Sequence, residues 1–275
     1  MMRRGLVALI PAIVGAAGAT ALACTDVATD PNAVVAVRFE GSAYPSIVVG
    51  DSLRDSLGAR QPIFATGLNY KGEAIAGAEF VFSSPDTNLR VVNNGMVFAR
   101  SRKTDGSPAR VFATAGSLQS QPDSLLIVPR ADSIKAAQDV DTAGVLPAGS
   151  ASTGLTLLPV SVFGDTLAGA PKAGVPGWLV SFQLRYHGVL LPPTDTSTAF
   201  TFVTVGSGVN TSLKATFVDS TDASGKAERG VFVQSIPAAV TRDTIYLIAT
   251  IQARKAGVAP RSDTTMILIL RLTQP

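Results

Sequence analysis

A run of alternating side chains constrains the fold of this chain more than any other feature of its sequence. Every second residue from 178 to 186 is large and apolar or aromatic, namely Trp178, Val180, Phe182, Leu184 and Tyr186. Because successive side chains of a strand point to opposite faces, this period of two predicts a half-buried β-strand. No window of helical length shows a comparable 3.6-residue stripe, although one or two helical turns are predicted at 131–138.

Short apolar runs between clusters of Gly, Pro, Asn, Asp and Ser predict further strands along the whole chain. In the first half these are 34–39, 46–49, 63–68, 78–83, 89–92, 96–100, 109–115 and 124–128. In the second half they are 155–163, 178–186, 199–205, 212–218, 228–234, 244–252 and 265–272. Asn93-Asn94-Gly95 predicts a hairpin, since Asn-Gly tolerates the positive φ of tight turns.

The N-terminus has the three parts of a secretory signal peptide. Arg3 and Arg4 precede a charge-free stretch from Leu6 to Ala23, which ends in small residues directly before Cys24. This resembles a bacterial lipobox, with Ala21 where Leu is commonest. The resemblance implies that Cys24 becomes the first mature residue and carries diacylglycerol on its sulfur. An ordinary cleaved signal peptide and an uncleaved anchor helix stay open as alternatives, since the stretch is about long enough to span a bilayer.

The cysteine count and the charge balance exclude two further classes of protein. Cys24 is the only cysteine, so no disulfide framework is expected in the body of the chain. Removing Arg3 and Arg4 from the 23 basic residues leaves 21 against 20 acidic ones. A chain so nearly neutral, without a basic stripe, is not expected to bind nucleic acid.

Regularly spaced short strands predict an all-β fold of two β-sandwich domains in tandem. The expected organisation is a signal peptide at 1–23, a tether at 24–32, a first domain at 33–129 and a second at 130–275. The second domain is large for seven strands, so 139–153 and 190–198 are predicted to be long loops.

Motifs in the first domain resemble bacterial immunoglobulin-like group 2 domains, with Phe82 where that family commonly has Trp. They are 46–51 (SIVVGD), 69–78 (NYKGEAIAGA), 80–86 (FVFSSPD), 92–97 (VNNGMV) and 109–115 (ARVFATA). The second domain resembles invasin-like domains at 221–228 (TDASGKAE) and in the following strand, 243–250, while its lengthened 164–177 loop departs from them. The resemblance implies immunoglobulin-like Greek-key sandwiches that serve as spacers, stalks or adhesive modules on bacterial surfaces, with no shared catalytic residues.

Few residues are candidates for chemistry. The only histidine, His187, follows the 178–186 strand, and no G-x-S-x-G elbow exists to serve it. It is therefore read as an ordinary strand-end residue, and no catalytic residue, metal site or cofactor is predicted. Asp219 and Asp222 leave calcium open as an alternative, although the loop lacks EF-hand spacing and Asp is an ordinary turn former.

The function expected from the sequence is that of a non-catalytic, lipid-anchored cell-envelope protein. It would act as a spacer, adhesion or protein-interaction module, with the membrane and a cell-surface protein or glycan as partners. The expected location is the outer membrane or cell surface, with secretion or the periplasm as the alternative. Exposed loop aromatics such as Tyr44 or Tyr70 would favour an interaction role. A carbohydrate-binding or periplasmic accessory module is the second hypothesis, and an enzyme with a deep polar pocket is the third.

Overall fold

The computed structural model describes residues 30–145, 154–164, 173–191, 200–205, 211–212, 217–233, 240–255 and 257–271. Every regular element within these ranges is a β-strand. The all-β prediction is therefore confirmed. A search of the same ranges finds no helix with the length and apolarity needed to cross a membrane.

Ten strands form what we call the first sandwich. They are β1 Ala36–Phe39, β2 Ser46–Val48, β3 Ala65–Leu68, β4 Ala74–Ile75, β5 Val81–Ser83, β6 Leu89–Val91, β7 Val97–Ala99, β8 Ala109–Ala115, β9 Leu118–Gln119 and β10 Asp123–Val128. One sheet has the order β1-β3-β4 and the other β2-β10-β8-β5, with β9 on β8 and a separate β6-β7 hairpin. Their side chains enclose a core that includes Ile47, Leu53, Ile63 and Leu125.

Eleven strands form the second sandwich. They are β11 Ala131–Ala136, β12 Val140–Val145, β13 Gly154–Gly164, β14 Leu179–Tyr186, β15 Val189–Leu190, β16 Phe200–Val205, β17 Thr211–Ser212, β18 Val218–Ser220, β19 Lys226–Val233, β20 Arg242–Ile251 and β21 Arg261–Arg271. One sheet has the order β11-β13-β19-β16-β17 and the other β12-β21-β20-β14-β15, with β18 on β14. The predicted division into domains at residue 130 stays a prediction; the strands of the first sandwich end at Val128 and those of the second begin at Ala131.

The first strand of each sandwich is divided between its two sheets. β1 pairs with β3 antiparallel, whereas β2 pairs with β10 parallel. In the second sandwich β11 pairs with β13 antiparallel and β12 with β21 parallel. The chain therefore crosses from one sheet to the other early in each sandwich, and each parallel pair joins the first and last parts of its sandwich.

Buried and more exposed side chains alternate along β14, as its sequence predicts. Val180, Phe182 and Leu184 are buried in the core, while Gln183 and Arg185 are exposed on the outer face. Full burial of an apolar side chain of this size contributes about 1.5–3 kcal/mol. The strand pairs with β20 over seven residues, from Val180 to Tyr186.

The prediction of helical turns at 131–138 is wrong. This segment contains β11, which pairs with β13 and has a register shift between Ala131 and Ser133. The irregularity puts Ala131, Ile134 and Ala136 on the buried side, so the first two lie three residues apart as in a helix. Pairing with β13 overrides the helix propensity of the alanines, because tertiary contacts outweigh local preference.

The long loop predicted at 139–153 is wrong in its first part, where β12 pairs with β21 over six residues. Residues 146–153 lie outside the described residues. The loop predicted at 190–198 begins inside β15, and 192–199 lie outside the described residues. β12 has an aspartate as its second residue and a glycine as its fifth of six, so its own sequence carries only a weak strand signal.

The hairpin predicted at Asn93-Asn94-Gly95 is confirmed as the connection of β6 and β7, in which the Gly95 N–H donates to the Val92 carbonyl oxygen. Gly95 has a φ of 79°. A Cβ at this position would lie 2.5 Å from the carbonyl oxygen of Ile63. Glycine is thus required both by the turn and by the neighbouring chain.

Candidate functional site

The two sandwiches meet at a buried polar site, which we call the junction. Its members are Tyr44, Ser46, Asp51 and Arg54 of the first sandwich, Arg130 of the connection, and Gly177, Trp178 and Arg254 of the second sandwich. Ser46 and Trp178 are fully buried, and Arg254 is 2% exposed. Charged side chains are rarely buried to this extent unless their polar groups are satisfied.

Arg254 is the centre of the junction. It follows β20 in a turn and has a φ of 51°, in the left-handed region that favours glycine. Its guanidinium carbon lies 3.7 Å from the centroid of the Tyr44 ring and 5.1 Å from that of the Trp178 ring. Such cation–π contacts are strongest where water is excluded, as it is here.

The hydrogen bonds that the Arg254 side chain donates reach into the first sandwich. Nη2 donates to the carbonyl oxygens of Ser46 at 2.8 Å and of Arg54 at 3.0 Å, and Nη1 donates to Ser46 Oγ at 3.3 Å. Nε is buried without a hydrogen-bond partner. Burial lowers the pKa of Arg254 to about 10, so the guanidinium remains charged at neutral pH.

Two further hydrogen bonds cross the junction, one with its donor in each sandwich. The backbone N–H of Leu179 donates to Tyr44 Oη at 2.5 Å, and Ser46 Oγ donates to the carbonyl oxygen of Gly177 at 2.8 Å. The Tyr44 and Trp178 rings meet edge to face with centroids 6.0 Å apart. Burial raises the pKa of Tyr44 to about 12, so its hydroxyl stays protonated.

At the edge of the junction, the Asp51 carboxylate accepts hydrogen bonds from two arginines. Asp51 accepts from Arg54 Nε at 3.1 Å and from Arg130 Nη2 at 2.8 Å. Burial opposes ionisation of Asp51, but hydrogen bonds from Arg54 and Arg130 outweigh it and lower its pKa to about 2. Arg130 Nη1 also donates to the carbonyl oxygens of Ala253 and Arg254, both at 3.2 Å, and so ties the connection to the turn that carries Arg254.

Apolar packing is continuous across the junction. Val48 and Val128 of the first sandwich belong to the buried cluster of the second, against which Leu126 also packs. In return Leu179 packs against the core of the first sandwich. The polar contacts therefore lie beside a shared apolar contact rather than in a solvent-filled gap.

The hairpin at 221–228 positions Trp178. Thr221 Oγ1 donates to the carbonyl oxygen of Val175 at 2.6 Å and accepts from the Trp178 N–H at 2.8 Å. Gly225 has a φ of 82°, and a Cβ there would lie 2.5 Å from Gly174 Cα. Close approach of these two backbones fixes the segment from which Trp178 enters the junction.

The two aspartates of the open calcium alternative are used within this hairpin region. Asp222 accepts from the N–H groups of Ser224 and Lys226, and Asp219 accepts from the N–H of Glu228 and pairs with Arg229 at 3.1 Å. Over the ranges the structure describes, no group of three or more His, Cys, Asp or Glu side chains is placed to hold a metal ion. Both carboxylates thus have structural roles in the turn.

The histidine belongs to a second cluster, which we call the His187 cluster: Tyr186, His187 and Asp243. Tyr186 Oη donates to Asp243 Oδ2 at 2.5 Å, and His187 Nε2 lies 2.9 Å from Asp243 Oδ1. The Tyr186 and His187 rings stack with their centroids 4.0 Å apart. Burial opposes ionisation of Asp243, but hydrogen bonds from Tyr186, the Thr244 N–H and His187 lower its pKa. Burial, with the hydrogen bond and charge of Asp243, raises the pKa of Tyr186 to about 12.

Three surface grooves lined by described residues of the first sandwich are open to solvent, unlike a deep pocket. A groove of about 310 Å³ lies beside β1 and is lined by Val37, Phe39, Leu68 and Pro122 among others. The His187 cluster lines none of these three grooves.

The predicted site residues have different outcomes. Cys24, the predicted lipidation site, lies outside the described residues, as does the predicted signal peptide. Tyr44 was expected in an exposed loop, and this is wrong because its ring is enclosed by Arg254 and Trp178. Tyr70 is 41% exposed, with Lys71 Nζ 5.6 Å from its ring centroid.

Sequence reasoning missed most of the junction. In the sequence, Ser46 and Asp51 stand out only as parts of a family motif, and Arg130 only as a predicted domain boundary. Arg254 was not singled out, since Ala253-Arg254-Lys255 resembles any solvent-exposed basic turn. Its positive φ and its partners 200 and 208 residues away are properties of the folded chain alone.

The strand arrangement defines the class of this protein: it is built from immunoglobulin-like β-sandwiches. Each sandwich has two facing sheets and a divided first strand whose second part runs parallel to the last strand. No protein-family model matches the chain. No curated protein matches it either.

Solved structures that the search matches to this chain include the adhesin InvE of Yersinia pseudotuberculosis, at 13% identity and a TM-score of 0.33, covering 83% of this chain and 56% of that one. Mouse cadherin-23 domains EC22-24 match at 14% identity and a TM-score of 0.28, covering 86% and 64%. PapD-like domain 7 of human CEP192 matches at 8% identity and a TM-score of 0.31, covering 54% and 90%. The chain spans less than two thirds of the first two structures, and likeness at this level carries no information on function.

Proposed function

We propose that this chain is a non-catalytic, lipid-anchored cell-envelope protein whose two immunoglobulin-like sandwiches form one stiff arm for spacing, adhesion or protein interaction. The observation that carries the proposal is the buried junction around Arg254. Domains within one chain move relative to each other by default, unless the contact between them is extensive and apolar.

The junction opposes such movement in two ways. Separating the sandwiches would expose the shared apolar contact of Val48, Val128 and Leu179. It would also break the directional bonds of Arg254 to Ser46 and Arg54, and of Leu179 to Tyr44. Each buried polar group left without a partner costs about 1–3 kcal/mol. A single orientation is therefore strongly preferred, which suits a spacer more than a flexible linker.

The membrane tether follows from the N-terminal sequence. Acyl chains on Cys24 would each contribute about 0.8 kcal/mol per buried CH₂, so several chains together hold a protein on a bilayer. Six residues lead from Cys24 to Asp30, where the described chain begins, and span at most about 20 Å when extended. The arm would thus stand close to the membrane that holds it.

The charged groups of the junction are turned toward one another rather than toward a substrate. Asp51 is occupied by Arg54 and Arg130, and Arg254 by carbonyl oxygens and two aromatic rings. Trp178 and Tyr44 are buried there as well, so neither can serve as a flat surface for sugar rings. These placements favour an interaction module over the carbohydrate-binding and enzyme alternatives.

The anchor is tested by intact-protein mass spectrometry and membrane fractionation of the native chain, Cys24→Ala and the matched control Thr25→Ala. The native chain and the control are expected in the membrane fraction, with a mass raised by acyl chains. Cys24→Ala is expected to lose both the added mass and the membrane association. An unmodified, soluble native chain would contradict the anchor.

The stiff arm is tested separately, because the body of the chain has no cysteine and accepts spin labels cleanly. Cysteines replacing the exposed Val81 and Val189, one in each sandwich, are placed in a Cys24→Ser background. Pulsed electron–electron double resonance is expected to give one narrow distribution of distances between the two spin labels. Arg254→Ala is expected to broaden this distribution. A broad distribution in the parent chain would refute the stiff arm while leaving the anchor untouched.

A further inference from the structure

Positive charge is concentrated where the two sandwiches meet. Residues 51–61, Arg130 and residues 252–263 together contain six basic and three acidic residues. Of the 23 basic residues of the chain, Arg3 and Arg4 lie in the predicted signal peptide, which leaves 21 against 20 acidic ones for the rest. Outside this region the mature chain is therefore slightly acidic. A local surplus of cations in an almost neutral chain favours contact with an anionic partner.

The acidic residues of this region are bound to groups of the protein itself. Asp51 accepts from two arginines of the junction. Asp55 accepts from two N–H groups of its own loop, and Asp263 accepts from the N–H of Ala136. Three exposed cations of the same region form no ion pair within the described ranges, namely Arg60, Lys255 and Arg261.

Two loops, one from each sandwich, bring these cations together with exposed aliphatic side chains. We call the resulting surface the basic patch, and its members are Leu57, Arg60, Lys255, Val258 and Arg261. The loops touch at Gly58, which has a φ of 90° and where a Cβ would lie 3.2 Å from the Lys255 nitrogen. The Val258 N–H donates to the Lys255 carbonyl oxygen, and Arg261 begins β21 at the base of the same loop. Leu57 is 82% exposed and Val258 40%.

The basic patch lies within reach of the membrane that would hold the anchor. The Asn69 side chain donates to the carbonyl oxygen of Pro31 at 3.1 Å, so the described chain starts beside the end of β3. Asn69 is nine residues from Arg60, a separation of at most about 32 Å. The tether before Asp30 adds at most about 20 Å. The anchor and the basic patch can therefore touch one bilayer when the first sandwich lies along it.

Anionic lipid headgroups match the chemistry of the basic patch. Each Lys or Arg beside an anionic membrane strengthens binding by about fivefold. The exposed aliphatic side chains among the cations can enter the boundary between headgroups and acyl chains. Three cations and two aliphatic side chains bind weakly on their own. An anchor on the same chain makes this contact intramolecular, so weak binding is sufficient to keep the patch on the membrane.

We propose that the basic patch binds anionic phospholipid headgroups of the membrane, with Leu57 and Val258 at the acyl boundary. The first sandwich then lies along the bilayer, and the stiff junction sets the direction in which the second sandwich extends. This orientation rests on the proposed anchor, whereas the affinity of the patch for anionic lipid does not. Because the patch has members from both sandwiches, it exists only while the junction holds them together.

The affinity is tested by vesicle flotation of the chain from Thr25 onward, which lacks the cysteine and so leaves the anchor out of the measurement. Vesicles of equal parts phosphatidylcholine and phosphatidylglycerol should bind the chain, and added salt should weaken the binding. Phosphatidylcholine alone should not bind it. Arg60→Glu and Lys255→Glu should each weaken binding by about fivefold or more. Leu57→Ser should also weaken it.

The matched control is Arg185→Glu, which makes the same change in net charge at an exposed position of β14. It should leave vesicle binding unchanged, and circular dichroism of each variant establishes that the fold is intact. Absence of binding to the mixed vesicles, or equal weakening by Arg185→Glu, would overturn the proposal. Either result would leave the anchor untouched, since acylation of Cys24 is measured on the native chain.

The orientation is tested on a chain that begins at Cys24, coupled through this single thiol to a maleimide lipid in the same two kinds of vesicle. Hydrogen exchange should be slowed in peptides from 55–61 and 252–261 on the mixed vesicles and unchanged on phosphatidylcholine. Arg60→Glu with Lys255→Glu should abolish the difference. Equal exchange on both kinds of vesicle would refute the orientation along the bilayer.

Discussion

The junction and the His187 cluster combine the same kinds of groups, yet they serve the molecule differently. Each places an aspartate among cationic or ionisable side chains with an aromatic ring close by. In the junction, Arg254 is 2% exposed and bonds to residues 200 and 208 positions away. In the His187 cluster, the His187 side chain is 65% exposed and Asp243 lies on the neighbouring strand β20.

This difference shows that burial and sequence separation, more than residue type, decide what such a cluster stabilises. The His187 cluster fixes one end of β14 against the strand beside it. The junction fixes the orientation of two sandwiches. Breaking the first should therefore have local effects, whereas breaking the second should change the cooperativity of the whole chain.

The largest effect is expected for Arg254→Ala. It leaves the carbonyl oxygens of Ser46 and Arg54 without this donor and opens a cavity between the Tyr44 and Trp178 rings. We expect a loss of about 3 kcal/mol in the free energy of unfolding. Scanning calorimetry should show one transition in the parent chain and two in the variant, because the sandwiches then unfold independently.

The matched control is Arg100→Ala, which removes an exposed arginine of the first sandwich. Its free energy of unfolding should change by no more than about 0.5 kcal/mol, as for ordinary surface substitutions. If Arg254→Ala unfolds in a single transition at the parent temperature, the junction does not couple the sandwiches.

An intermediate effect is expected for Asp51→Asn. The pKa of Asp51 is lowered to about 2, so its stabilising contribution is complete above a pH of about 4 and is lost as the pH falls toward 2. The variant should be about 1–2 kcal/mol less stable at neutral pH, and most of the difference should be lost as the pH falls from about 4 to 2.

Denaturant unfolding of both chains between pH 7 and pH 2 measures this convergence. Asp105→Asn is the comparison variant, because Asp105 lies in an exposed turn and bonds only to Ser107 close by. A difference between parent and Asp51→Asn that stays constant down to pH 2 would show that charge is not what Asp51 contributes.

The smallest effect on stability is expected for Asp243→Asn, which alters the His187 cluster. Its local signature should nevertheless be clear. The charge and hydrogen bond of Asp243 help to raise the pKa of Tyr186 to about 12, so the variant should titrate this tyrosine closer to its ordinary value of 10. Ultraviolet difference titration against Tyr186→Phe identifies the residue. Calorimetry of Asp243→Asn should retain the single transition that Arg254→Ala loses.

Local patterns predicted much of the fold. The alternation at 178–186 became β14, and Asn93-Asn94-Gly95 became a hairpin, because each signal depends on neighbours in sequence. The segment at 131–138 was misread for the same reason: the bulge in β11 produces a three-residue spacing of buried positions that resembles a helix.

The candidate site could not be predicted in this way. Arg254 looks like part of a solvated basic turn and Tyr44 like a loop aromatic, since nothing adjacent to either marks it as buried. Their burial arises only when the sandwiches meet.

The divided first strand gives each sandwich a mechanical property. Stretching the chain pulls the beginning of β2 away from the end of β10, and the beginning of β12 away from the end of β21. Because each pair is parallel, this tension shears its hydrogen bonds together instead of unzipping them one by one. β2 and β10 share three paired residues, whereas β12 and β21 share six. Under a rising pull the first sandwich should yield before the second, and single-molecule stretching would record the two ruptures in that order.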